Sequence, residues 1–118
     1  MVNQKTDREL LEDAAKAAGI DWCKGGTVPQ YPDMLCLKTE ARFWRPLDDD
    51  GDALRLAVKL GLVVCVMNQV GFTGVYIPSE HIYVGGKYDE MQHHDGDPCA
   101  ASRRAIVRAA AEIGNSIT

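Results

Sequence analysis

The densest group of residues able to do chemistry is His93-His94-Asp95-Gly96-Asp97, with His81 and Cys99 nearby in the chain. Imidazole and carboxylate groups are the side chains that hold zinc or iron. A metal site on His93, His94 and Asp95, with His81 as a further ligand, is therefore one reading. Ligands on one element converge at helical i,i+4 or strand i,i+2 spacing, whereas adjacent His93 and His94 on extended chain point to opposite sides. The spacing fits no metal motif. The preferred reading is a polar loop leading to a helix capped by Asp97. No metal, cofactor-binding or catalytic residue is assigned, and a small metal-binding protein or metal-dependent enzyme stays as the alternative.

Other candidates are weaker. The run Asp48-Asp49-Asp50-Gly51-Asp52 invites calcium, but an EF-hand loop starting at Asp48 needs glycine sixth and glutamate twelfth. Ala53 and Lys59 stand there. The run reads instead as a helix cap followed by a solvated acidic turn. Ser79, Ser102 and Ser116 lie in no nucleophile-elbow context. Cys99 at a helix start would gain thiolate character, yet it shares a helix face with Ile106, Ala109, Ala110 and Ile113, which predicts burial. The paired glycines match no phosphate loop and read as turns, and Gly74 as a bulge. Trp22, Tyr31, Phe43, Trp44 and Arg45 could form a binding face. In a chain with only 7% aromatic residues, Trp22 and Trp44 read first as core plugs.

Three helices must position these residues. Thr6 and Glu9 form a capping box, and Leu10, Leu11, Ala14, Ala17 and Ala18 follow on one face up to Gly19. That predicts a helix over 7–18, with Glu12 and Lys16 as an i,i+4 ion pair. A second helix follows the acidic run. Ala53, Leu54, Leu56, Ala57, Val58 and Leu60 cover most of its circumference, which predicts a helix that is buried or covered by a partner, and Gly61 ends it. A third starts at Asp97-Pro98 and stops at Gly114. Strands are predicted at 20–23, 34–37, 62–68, 72–77 and 81–84, with a short one at 88–91, and 40–44 reads as a further strand or a connection. Short turns between them predict a mainly antiparallel sheet. Cys65, inside Val63-Val64-Cys65-Val66-Met67, reads as core.

Two segments carry a resemblance. One is Trp44-Arg45-Pro46-Leu47 followed by Asp48 to Asp52 and Ala53 to Leu60. The other is Asp97-Pro98 followed by Arg103 to Gly114. The opening helix Asp7-Arg8-Glu9-Leu10-Leu11 to Ala18-Gly19-Ile20 accompanies them. Together these resemble the phage ABA-sandwich domain family, small proteins of phages and prophages. The resemblance implies an α-β-α sandwich and no particular activity. Residues 21–42 and 69–92 carry least of it, and binding peculiar to this chain would reside there, because loops vary most.

Composition sets the frame. The 118 residues make one domain, 1–118, with 46% hydrophobic and 25% charged residues. A disordered, collagen-like or membrane-spanning chain is excluded. Residues 1–59 carry 11 acidic and 9 basic residues, and residues 60–118 carry 6 and 4. The acidic excess is thus even, without the basic face of a nucleic-acid binder. The Arg103, Arg104 and Arg108 stripe is read as a solvated helix face, with nucleic-acid binding as a further alternative. The polar first residues contain no signal-peptide core, and four widely spaced cysteines read as free thiols. The expectation is an α+β protein, an α-β-α sandwich with a mainly antiparallel sheet and three helices. It is expected in the cytoplasm of a bacterial host as a non-enzymatic phage or prophage accessory protein. It would act through contact with a protein partner or a second copy of itself, without cofactor or membrane.

Overall fold

The computed structural model describes residues 5–23, 34–38, 40, 42–67, 69, 72–85 and 97–117. Among these residues, three helices and two small antiparallel sheets form the α+β fold that the sequence predicts. Helix α1 spans Asp7–Ala18. Its capping box is formed as predicted: Glu9 N donates to Thr6 Oγ1 at 3.2 Å, and Thr6 N donates to Glu9 Oε1 at 2.9 Å. Glu12 pairs with Arg8 at 2.9 Å rather than with Lys16. The Arg8 guanidinium also donates to the Met34 carbonyl, which holds it over that side of the helix.

Strands β1 (Leu35–Cys36) and β2 (Phe43–Trp44) pair antiparallel, with Leu35 opposite Trp44. An isolated antiparallel bridge joins Trp22 to Leu37 on the other edge of β1. Helix α2 spans Asp50–Leu60, capped by Asp49. Both α1 and α2 end in left-handed glycines, Gly19 at φ 69° and Gly61 at φ 65°, where a Cβ would strain the backbone. Burial of α2 is narrower than predicted. Ala53, Leu56 and Ala57 are covered, but Leu54 and Val58 are 62% and 72% exposed. The helix packs chiefly on one neighbour, so Leu54 and Val58 on the far side stay largely in solvent.

Strands β3 (Val63–Met67), β4 (Phe72–Ile77) and β5 (Ile82–Gly85) form a sheet in that order. Its register sets the faces. Val64 lies opposite Val75, Val66 opposite Thr73 and Val84 opposite Val75, so these side chains share one face, on which Val75, Thr73 and Val84 are buried while Val64 and Val66 at the edge stay partly exposed. Val63, Cys65, Met67, Phe72, Tyr76 and Tyr83 share the outward face. Gly74 makes no bulge: it pairs regularly with Cys65 and Gly85, and the Phe72 ring lies over it.

Helix α3 (Pro98–Ser116) is the hub. It touches all three strands of the larger sheet, and both α1 and α2 pack on it. Ala101, Ala105, Ala109 and Ala110 are wholly buried, because small side chains let neighbours approach closely. Gly114 does not end the helix, which continues to Ser116. It sits where α3 crosses α1, and a Cβ there would overlap the Asp13 carbonyl. The sequence read it as a stop because glycine has both uses. Cys99 is exposed, not buried, because it lies in the first turn, ahead of the packed stretch.

Candidate functional site

Two surface features stand out, and the first is the free edge of β3. The strand pairs only with β4 among the described residues. It carries neither charge nor proline, the usual protections of an open edge. Val63, Val64, Val66 and Met67 are 49%, 37%, 43% and 47% exposed. The sequence predicts this run as core, and the structure corrects that. A β-branched run has the same composition whether the strand lies inside a sheet or at its edge, and only strand order distinguishes the two. Cys65 is correspondingly half-buried. The apolar surface continues over the outward face, where the Tyr76 and Tyr83 rings lie 5.1 Å apart and Tyr76 Oη meets His81 Nδ1 at 3.0 Å. His81 takes a φ of 56°, in the turn between β4 and β5.

The second feature is a cleft of about 360 Å³ between the smaller sheet and α2. Leu37, Trp44 and Leu56 contribute apolar lining, and Arg42, Arg55 and Lys59 contribute positive charge. Behind them Asp52 is almost completely buried. Its Oδ2 accepts from Arg45 N at 2.9 Å, and its Oδ1 accepts from Arg55 at 2.7 Å and Arg42 at 3.1 Å. Burial pushes the Asp52 carboxyl up. The Arg45 N–H and the Arg55 and Arg42 guanidinium groups outweigh burial and hold it below the ordinary carboxylate range. Acid–base catalysis near neutral pH needs a carboxyl raised in the opposite direction. Asp52 is thus a tie between β2 and α2. The acidic run is a helix cap as predicted, with Asp49 accepting from Asp52 N at 2.8 Å. It is not wholly solvated, because its last member turns inward.

This geometry explains the motif around Trp44. Trp44 and Pro46 are buried, Asp49 caps α2, and Asp52 reaches back past the cap to the Arg45 backbone. Each motif residue secures the entry to α2. Trp44 is core as predicted, and Trp22 packs partly against it, while Phe43 and Arg45 stay exposed. Tyr31, His93, His94 and Asp95 lie outside the described residues, as does the strand predicted at 88–91. Among the described residues no three His, Cys, Asp or Glu side chains gather as a metal site. None of the described helices is long and apolar enough to cross a membrane.

The arginine stripe on α3 is corrected in part. Arg103 donates to the Leu47 carbonyl at 2.8 Å and pairs with Asp50, and Arg104 pairs with Asp7 at 2.9 Å. These side chains join α3 to the starts of α2 and α1 instead of standing in solvent. The sequence could not show it, because both carboxylates are far away along the chain.

No family model, curated protein or solved structure matches the chain.

Proposed function

We propose that this chain is a phage or prophage accessory protein that acts by protein–protein contact, and that it pairs with a second copy through the open edge of β3. The phage reading rests on the sequence resemblance. The pairing rests on one observation: an edge strand left unpaired on one side among the described residues, with four apolar side chains between 37% and 49% exposed. A neutral strand is self-complementary, so two copies related by a two-fold axis can join antiparallel into one six-stranded sheet. Covering the exposed half of each side chain contributes about 1 kcal/mol. The new backbone hydrogen bonds contribute about 1 kcal/mol each. Association costs roughly 4–15 kcal/mol, so the expected dimer is one that dissociates on dilution.

Sedimentation over a range of protein concentration tests this. A reversible monomer–dimer equilibrium is expected. Val66→Lys puts a charge on the edge and should leave a folded monomer, while Leu54→Lys on α2 should leave the dimer intact. A wild-type monomer at every concentration, or a dimer unaffected by Val66→Lys, removes the reading.

A further inference from the structure

The isolated bridge between Trp22 and Leu37 has a chemical consequence one residue along. Cys23 stands directly opposite Cys36, and its N–H donates to the Cys36 carbonyl at 2.8 Å. Opposed residues of antiparallel strands point to the same face, with Cβ atoms about 4.5–5.5 Å apart and Cα atoms about 5.5 Å apart at hydrogen-bonded positions. That Cα separation falls within the range a disulfide spans. Both residues are partly exposed, so a small reagent can reach them. Contact with the Cys23 thiol, and then burial, pushes the Cys36 thiol up. Cys65 on β3 and Cys99 on α3 belong to other elements.

We infer that Cys23 and Cys36 form a redox-active pair, closed to an intramolecular disulfide by a small disulfide oxidant of the glutathione type. The Cys23 thiolate attacks one sulfur of the oxidant and releases the first small thiolate. The Cys36 thiolate then attacks the Cys23 sulfur of the mixed disulfide and releases the second. The two protein thiols lose two electrons and two protons, and the oxidant becomes two small thiols. A bridge here is partly exposed, so a small thiol can reach it and reduce it again. Asp21 and Leu37, which line the cleft, flank the pair, so closing the bridge ties two parts of the cleft wall together.

The test equilibrates the whole folded protein in graded mixtures of reduced and oxidised glutathione, then blocks free thiols and digests with trypsin. Cleavage after Lys16, Lys24 and Lys38 places Cys23 in peptide 17–24 and Cys36 in peptide 25–38. The expected product is these two peptides joined, with loss of two hydrogens in the intact mass and complete reversal by dithiothreitol. Cys36→Ser should abolish it and trap Cys23 as a glutathione adduct, whereas Cys65→Ser and Cys99→Ser should leave it unchanged. The folded protein should form the bridge at least tenfold more completely than the urea-unfolded chain at one glutathione ratio. Glutathione adducts alone, links to Cys65 or Cys99, or equal yield from the unfolded chain would overturn the inference.

Discussion

Replacing Asp52 by asparagine keeps its shape and removes its charge, which isolates what the buried carboxylate contributes. Three donors converge on it: Arg45 N, Arg55 and Arg42. In a dry site each charged bond would contribute about 1.5–3 kcal/mol. Here the Arg55 and Arg42 side chains are 66% and 42% exposed and regain water when released. Their share falls to about 0.5–1 kcal/mol each. The asparagine oxygen can still accept from the Arg45 N–H, although more weakly than a carboxylate. Asp52→Asn should therefore cost about 2 kcal/mol at pH 7, near 8 °C in Tm for a domain of this size. The pH dependence follows from the lowered carboxyl. A group with a lowered folded pKa stabilises fully above its unfolded value near 4, and loses that contribution as pH falls through the folded value. The gap between wild type and Asp52→Asn should thus be constant near neutrality and shrink in acid below about pH 4. Urea denaturation followed by tryptophan fluorescence at several pH values measures it. A gap under about 0.5 kcal/mol at pH 7, or one that persists unchanged into strong acid, refutes the reasoning.

Two further substitutions probe the packing that carries these surfaces. Gly114→Ala would gain about 1 kcal/mol in an exposed helix interior. Here the added methyl meets the Asp13 backbone, and separating α1 from α3 should cost about 3 kcal/mol instead; a stabilised variant in urea denaturation would contradict the close crossing. The Thr73 hydroxyl is buried with no hydrogen-bond partner among the described residues. Thr73→Val should raise stability by about 1 kcal/mol, and a loss of that size by the same assay would mean the hydroxyl has a partner.

The local devices were legible along the chain. The Thr6–Glu9 box, the capping run Asp48 to Asp52, the Asp97 cap, Gly19 and Gly61 each act within four residues, so residue types at short spacing carry the signal. Antiparallel pairing and the strands within 34–37, 40–44, 62–68, 72–77 and near 81–84 followed in the same way, whereas 20–23 forms only the Trp22–Leu37 bridge. The candidate surface was not legible. Val63 to Met67 looked like core, Leu54 and Val58 looked buried, and the arginines of α3 looked solvated. All three errors concern which neighbour lies alongside, a question that periodicity does not answer.

By itself the sequence determined the α+β class, the three helices with their starting points, and the core roles of Trp44 and the alanine faces. These follow from backbone preferences and from apolar residues leaving water, both of which act on short segments. Only the tertiary structure decided that Asp52 turns inward to three donors and that Gly114 is a crossing point and not a stop. It alone placed β3 at a sheet edge and set Cys23 opposite Cys36. Each of these depends on groups brought together across the fold, where strand order and helix crossing, rather than local residue type, fix which atoms meet.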